Sequence, residues 1–160
     1  MIKETCLLFF LNQHVSIGTI FQSKWCEKNN KKYGLVKKKF EKIILNTPDK
    51  KNFFKKKNKF SSKIVSSGWS NNINKGFEIF SWLDKNLNFK KFSYSYIGNS
   101  PIKFKNIKMN KPMKSKELAK ELRKNDIYIS ASKNDACSNS IIEAKYCGLQ
   151  ILALNQGGNP

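Results

Sequence analysis

The sequence predicts an α/β fold in which a parallel β-sheet is flanked by helices, and three observations support this. From about residue 60 onward, short apolar runs alternate with segments whose apolar residues recur at helical spacing. Clusters of Gly, Asn, Ser and Pro separate these segments, as is typical of turns. The length of 160 residues suffices for one hydrophobic core but hardly for two full domains. Strands that alternate with helices indicate parallel βαβ units.

The expected elements of this sheet follow one another along the chain. The predicted strands are residues 63–67, ended by Gly68, and then 92–97, 102–107, 126–130 and 150–154. The predicted helices are residues 75–87, 115–124 and 140–147. Ser115 is expected as the N-cap of the second helix, and Gly148 as the residue that ends the third. Before this sheet we expect a strand over 19–23, a helix over 24–32, a strand over 41–45, a turn over 46–49 and a charged linker.

The charge of the chain is strongly positive, at a formal value of +20. Every basic residue except Arg123 is a lysine, and the lysines are scattered, with the densest runs at 37–39 and 55–57. Arginine is the usual reader of base edges and the better phosphate ligand, so this composition favours a solvated lysine-rich surface over nucleic-acid binding. A basic module that binds nucleic acid or an anionic membrane stays as the alternative.

Targeting signals and cysteine patterns add little. The N-terminal apolar run, residues 7–11, is too short for a membrane span and includes no cleavage motif, which favours a cytoplasmic location. Peripheral association with the inner membrane is compatible with this. The four cysteines show no zinc-binding or CxxC spacing, so we expect reduced thiols and no metal site.

The polar segments that follow the predicted strands should meet at one edge of the sheet. Ligands of open α/β sheets bind beyond the carboxyl ends of the strands. The segments expected there are 68–76, 98–99, 132–140 and 155–158.

The most informative stretch is residues 130–153. A strand is followed by a loop with Asp135, and a helix opens with Ser138, Asn139 and Ser140 before Glu143. Helix N-termini present free N–H groups that suit a phosphate or a sugar hydroxyl. With Asp135 on the loop and Glu143 on the first helical turn, both carboxylates are expected to face one cleft. Two plainer interpretations stay open: a capping box of Ser140 and Glu143, and a solvated loop acid at Asp135.

This stretch resembles the family 4 (group 1) glycosyltransferases, whose signature is Glu, seven residues, Glu, Ala and Gly, then a strand and a Gly-Gly loop. The matching residues are Asp135, Glu143, Ala144, Gly148 and the pair Gly157-Gly158. The resemblance implies that Glu143 binds the ribose of a nucleotide-sugar donor and that Asp135 contacts the transferred sugar. Asp135 departs from the pattern because it is one methylene shorter than the usual glutamate.

A second match surrounds Lys75 and Gly76, where the family places a Lys-Gly after the first strand of its donor domain. The resemblance implies that Lys75 neutralises the donor diphosphate, although the usual upstream arginine is replaced by the segment 68–70. Lys75 and Asp135 are thus the expected catalytic residues. The plainer interpretation is that Lys75 is one of many lysines at a helix start. The expected donor-binding residues are Gly68, Lys75, Gly98, Asn99, Ser132, Asp135, Ser138, Asn139, Ser140, Glu143, Gly157 and Gly158.

The resemblance also implies the organisation and partners of the chain. Residues 62–160 would be the Rossmann-like donor domain of a GT-B fold, incomplete at both ends, residues 50–61 a linker, and residues 1–49 the end of a preceding domain. We expect a UDP- or GDP-linked sugar as donor and a sugar, lipid or polysaccharide as acceptor. The expected reaction retains the anomeric configuration and needs no cofactor or metal, with no activity for this piece alone. A basic binding module and a non-functional remnant are the alternatives.

Overall fold

The computed structural model describes residues 2–55 and 59–159. Its helices are α1 Ile2–His14, α2 Lys24–Lys32, α3 Phe77–Asn86, α4 Ser115–Leu122 and α5 Asn139–Tyr146. Its strands are β1 Gly18–Phe21, β2 Phe40–Ile43, β3 Lys63–Gly68, β4 Ser93–Gly98, β5 Lys108–Asn110, β6 Ile127–Ser130 and β7 Gln150–Ala153. None of the described helices has the length and apolar character needed to span a bilayer. In the lysine run 55–57, Lys56 and Lys57 lie outside the described residues, as does Pro160.

The main sheet has five parallel strands in the order β5-β4-β3-β6-β7. The chain therefore builds outward from β3 to β4 and β5, and then crosses back to add β6 and β7 on the other side of β3. The strand order reverses between β3 and β6, and such a switch point is where open α/β sheets bind ligands. The predicted α/β fold class is confirmed.

Each face of this sheet is covered by helices, because alternate residues of a strand point to opposite faces. On one face, helix α3 packs its phenylalanines onto strand residues; this cluster comprises Ile64, Phe77, Phe80, Tyr94, Tyr96, Ile107, Ile129 and Ala131. On the other face, α4 and α5 pack onto the neighbouring strand residues; this cluster includes Val65, Ile97, Leu118, Leu122, Tyr128, Ile141 and Ala144. A smaller parallel pair, β1 and β2, precedes the sheet.

The strand predicted over 102–107 is wrong, because the third strand of the unit is β5, at 108–110. The carboxylate of the buried Asp84 accepts the backbone N–H groups of Lys105, Asn106 and Ile107, at 2.8, 2.8 and 2.7 Å. These N–H groups are consequently unavailable for a sheet ladder, and the segment forms a loop.

Two predicted helix starts are also corrected. The helix expected from Lys75 begins at Phe77, because residues 73–75 form a 3-10 turn and Gly76 has φ +71°. A Cβ at Gly76 would overlap the carbonyl of Ala131, so the close approach to β6 demands glycine. Ser115 is the first residue of α4 rather than its N-cap, which is Lys114.

The N-terminal part contains helix α1, in a segment for which no element was predicted. Helix α2 has the predicted bounds, and Ser23 caps it by accepting the N–H of Cys26 at 3.0 Å. Within the predicted linker, Phe53 is buried in the core beside α4. Arg123 donates to the carbonyl of Asn52 at 2.6 Å and lies over the ring of Phe54 at 4.2 Å. The described part of this linker is therefore attached to the sheet domain.

Candidate functional site

A cleft of about 300 Å³ lies at the carboxyl edge of the sheet, at the switch point between β3 and β6. One wall is the loop that follows β3, and the other is the loop between β6 and α5 together with the first turns of α5. The lining residues are Ser67, Gly68, Trp69, Ser70, Lys75, Asp135, Cys137, Ser138, Asn139, Ser140 and Glu143.

Lys75 and Asp135 face each other across this cleft. The ammonium Nζ of Lys75 lies 3.5 Å from Oδ2 of Asp135, and their side chains are 30% and 21% exposed. The loops that carry them are tied together, since the N–H of Lys133 donates to the carbonyl of Asn74 at 2.7 Å. The other oxygen of Asp135 accepts the N–H of Cys137 at 3.3 Å, which orients the carboxylate. The interpretation of Asp135 as a merely solvated loop acid does not describe this ion-paired, half-buried position.

Glu143 lies on the second turn of α5, not on the first turn as predicted, because the helix begins at Asn139. The capping box does not form either: the N-cap is Ser138, and its side chain makes no capping hydrogen bond. Burial raises the pKa of the Glu143 carboxyl above its usual range. A half-buried acid without a capping role costs stability, which is a common property of binding residues.

A second cavity, of about 390 Å³, adjoins the first and shares Asn139 and Glu143 with it. Its other walls are Ile142 and Ser115 from the sheet domain and the segment that precedes it. The residues contributed by that segment are Gln22, Asn46, Thr47, Pro48, Asp49 and Phe53. Glu143 therefore stands at the junction of two cavities, with Lys75 and Asp135 in only one of them.

The floor of the cleft is a buried hydroxyl network centred on Tyr128. Its hydroxyl lies 3.0 Å from the hydroxyl of Ser67, accepts the Ser67 N–H at 3.3 Å and lies near the side chain of Ser140. Burial raises the pKa of Tyr128, so the group stays a neutral phenol. The network joins the end of β3 to the first turn of α5.

The segment before the sheet domain holds the loop of Asp135 from outside. Ser23 donates its hydroxyl to the carbonyl of Ala136 at 2.6 Å. The amide of Asn46 donates to the side chain of Asn139 at 2.7 Å and to the carbonyl of Cys137 at 3.3 Å.

Five of the predicted site residues do not line the cleft. Gly98 packs closely against the backbone of Gly68, and the side-chain amide of Asn99 donates to the carbonyl of Trp69 at 2.8 Å. Ser132 is buried, and its carbonyl faces the amide of Asn159 at 3.4 Å.

The glycine pair packs against the loop that carries Asp135. The N–H of Gly158 donates to the carbonyl of Asp135 at 2.7 Å. Gly157 has φ +67°, and a Cβ at either glycine would overlap backbone of residues 134–136. These five residues support the walls of the cleft from behind.

Four lining residues are absent from the predicted set: Ser67, Trp69, Ser70 and Cys137. Trp69, Ser70 and Cys137 belong to segments that the strand pattern already assigned to the binding edge, and Ser67 is the last residue of the predicted strand before the first of these segments. None of these four residues is charged or a glycine, so none stood out as a candidate. For Ser67, only the alternation of side chains along β3 could have indicated that it faces the cleft.

The site combines a cation, two carboxylates and several hydroxyl and amide groups around a helix N-terminus. This set can bind a ligand that carries both phosphate and hydroxyl groups, with Lys75 and the end of α5 at the phosphate and the carboxylates at hydroxyls. Among the described residues, no three or more His, Cys, Asp or Glu side chains are grouped as metal ligands.

No protein-family model matches this sequence, and no curated protein is significantly similar to it. Solved structures are similar in fold. The sucrose-phosphate synthase (tll1590) from Thermosynechococcus elongatus matches with a TM-score of 0.80 and 14% identity, over 99% of this chain and 45% of that chain. TarM matches with a TM-score of 0.73 and 15% identity, over 98% of this chain and 32% of that chain. The chain spans less than half the length of either structure, and the likeness establishes a Rossmann-like domain of the GT-B type.

Proposed function

We propose that this chain is the nucleotide-sugar-binding part of a glycosyltransferase. The observation that carries the proposal is the meeting of Lys75, Asp135 and Glu143 around one cleft at the switch point of the sheet. TarM and sucrose-phosphate synthase, whose folds the chain shares, are both glycosyltransferases. The resemblance of residues 130–158 to family 4 signatures points to the same class of reaction.

The diphosphate of the donor is assigned to Lys75 and the N-terminus of α5. The side chain of Ser138 makes no capping hydrogen bond, so it does not compete with a phosphate for the N–H groups of the first turn. Lys75 supplies a full positive charge to the leaving diphosphate, where negative charge develops during transfer. When the donor binds, Lys75 would give up its ion pair with Asp135 and pair with a phosphate of the donor instead.

The sugars of the donor are assigned to the two carboxylates. Glu143 lies between the two cavities, which suits a ribose whose base enters the second cavity and whose phosphates enter the first. Asp135 lies beside Lys75, one step beyond the diphosphate, where the transferred hexose would follow. This assignment corresponds to a retaining transfer without a bound metal, by the likeness to family 4.

The partners follow from the same proposal. The donor is a UDP- or GDP-linked hexose, and the acceptor is a sugar, lipid or polysaccharide that a further domain would bind. The reaction would take place in the cytoplasm, with peripheral attachment to the inner membrane for a lipid acceptor. A cofactor is not required.

Calorimetric titration with UDP- and GDP-sugars tests the proposal. We expect Lys75→Ala to weaken binding by roughly 10-fold or more, since a charge-assisted hydrogen bond contributes about 1.5–3 kcal/mol. Glu143→Gln should weaken it by a comparable factor through loss of an acceptor for ribose hydroxyls.

The matched controls are Lys85→Ala and Glu117→Gln, which remove the same charges from exposed positions on α3 and α4. Equal effects of site and control variants would contradict the proposal. If the chain instead binds nucleic acid, with an affinity that falls steeply with salt and ignores the site variants, the basic-module alternative replaces it.

A further inference from the structure

Trp69 is a large aromatic side chain that lies at the rim of the cleft without belonging to the core. It lines the cleft together with Ser70, Lys75 and Asp135, yet 61% of its surface is exposed. Exposing an indole to water forgoes the stabilisation that burial of so large an apolar surface would give. Because Trp69 is exposed on a wall of the cleft, its indole is available for contact with a ligand.

The backbone of the loop that carries Trp69 is anchored by hydrogen bonds on both sides of that residue. The side-chain amide of Asn99 donates to the Trp69 carbonyl at 2.8 Å, and the Asn99 N–H donates to the carbonyl of Gly68 at 3.0 Å. On the other side, the hydroxyl of Ser70 accepts the N–H of Asn72 at 3.0 Å. A side chain on a fixed backbone loses less conformational entropy when a ligand packs on it.

The wall around Trp69 is electrically neutral, which is unusual for this chain. No charged residue lies between Lys63 and Lys75, although the chain has a net charge of +20. Phosphate groups are bound by cations and free N–H groups, so this wall is chemically suited to the uncharged part of a ligand.

Trp69 also lies in the first cavity and not in the second. Glu143 and Asn139 border the second cavity, whereas Trp69, Lys75 and Asp135 line only the first. The proposed function assigns the nucleoside to Glu143 and the diphosphate to Lys75, which leaves the indole of Trp69, a lining residue of the first cavity with no partner in that assignment, for the sugar.

We propose that the indole of Trp69 is the stacking platform for the pyranose ring of the transferred sugar; this rests on the proposed function. The C–H groups on one face of a pyranose carry partial positive charge and pack on the negative face of an aromatic ring. Asp135 then accepts hydrogen bonds from hydroxyls at the edge of the same ring. Trp69 thereby discriminates a hexose donor from the free nucleotide.

The test compares each nucleotide sugar with its own nucleoside diphosphate on the same protein. In Trp69→Ala we expect the Kd for a UDP- or GDP-hexose to rise roughly 3- to 10-fold, the range of aromatic packing contributions. The Kd for UDP or GDP alone should change by less than about twofold. Trp69→Phe should recover part of the hexose affinity, because it keeps an aromatic face.

The matched control is Trp82→Ala. Trp82 is also 61% exposed but lies on α3, among residues that do not line the cleft. Its removal should leave both affinities unchanged. As a second readout, the tryptophan fluorescence of the wild type should respond more strongly to the nucleotide sugar than to the nucleoside diphosphate, and this difference should vanish in Trp69→Phe.

The two proposals fail in different ways. If the wild type binds no nucleotide at all, the proposed function is overturned and the platform with it. If nucleotides bind, but Trp69→Ala weakens the nucleotide and the nucleotide sugar equally, or weakens neither, only the platform is overturned.

Discussion

At the residue scale, buried tyrosine hydroxyls decide how the strands of this sheet are held near the cleft. The hydroxyl of Tyr94 lies 2.7 Å from the hydroxyl of Ser66, and the Ser66 hydroxyl donates to the carbonyl of Ile129 at 2.6 Å. Tyr128 makes the corresponding bonds to Ser67, one residue further along β3. Alternation along β3 therefore places one network within the core and the other under the cleft.

These two tyrosines provide a matched pair of variants. Tyr128→Phe and Tyr94→Phe should each lower the free energy of unfolding by about 1 kcal/mol, because each removes a hydrogen bond from a buried hydroxyl network. Only Tyr128→Phe should also weaken nucleotide binding, by about fivefold, since it releases Ser67 and Ser140 at the floor. Urea unfolding and calorimetric titration of the same preparations measure the two effects.

A purely structural role for Tyr128 would show itself by equal binding losses in both variants. Loss of binding in Tyr94→Phe alone would mean that the network beneath the cleft has been assigned to the wrong tyrosine.

At the element scale, most of the sheet could be predicted from apolar patterning, and the failures have local causes. Strands β3, β4 and β6 coincide with short apolar runs that end in Gly or Ser, and β7 coincides with an apolar run that ends before the loop 155–158, so the positions of all four could be predicted. The segment 102–107 has the same apolar pattern, but hydrogen bonds to Asp84, more than twenty residues away in the sequence, hold it as a loop instead of a strand. Glu143 was placed on the wrong turn because nothing local distinguishes Ser138 from Ser140 as the N-cap.

Asp84→Asn tests the diversion of that loop. Burial alone would raise the pKa of Asp84, but the N–H groups of Lys105, Ile107 and Asn106 outweigh it, and the pKa lies below the ordinary value of 3.8. The variant should lower the free energy of unfolding by about 1.5–3 kcal/mol at neutral pH, because one acceptor oxygen is replaced by a donor.

The sign of the pH dependence follows from the lowered pKa. The contribution of ionised Asp84 is fully present above the unfolded pKa and is lost as the pH falls through the folded one. In urea unfolding at a series of pH values, the difference in the free energy of unfolding between wild type and Asp84→Asn should thus become smaller below about pH 4. Glu117→Gln, an exposed charge removal on α4, should show no such gap. A gap that stays constant into acid would contradict the role of the carboxylate.

At the scale of the whole molecule, the sequence predicted the layered architecture but not how the first part of the chain attaches to it. Helix α1 shows no clear amphipathic pattern, so periodicity did not reveal it. The burial of Phe53 and the contacts of Ser23 and Asn46 join residues far apart in sequence, which no local pattern encodes. The convergence of the site on one edge, in contrast, follows from topology, because parallel strands carry their following loops to the same side.

The net charge of +20 makes a further prediction for the molecule as a whole. Like charges repel one another in the compact state, and at 0.1 M salt the repulsion between exposed charges more than about 10 Å apart is largely screened. We expect the melting temperature to rise as NaCl increases from about 0.02 to 0.5 M.

A variant with Lys103, Lys108 and Lys116 replaced by glutamine should show a flatter salt dependence, because these exposed lysines add only to the repulsion. A melting temperature that falls with salt would instead show that attractive ion pairs, such as those of Lys31 with Glu27 and Glu41, outweigh the repulsion among the lysines.

The loop of Asp135 is clasped by segments from both ends of the chain: Ser23 and Asn46 on one side, and Gly157 with Gly158 on the other. An engineer who wished to transplant this loop into a related scaffold could not move it as one contiguous segment. The recipient would have to receive the two distant clamps as well, so the smallest exchangeable unit of this protein is discontinuous in sequence.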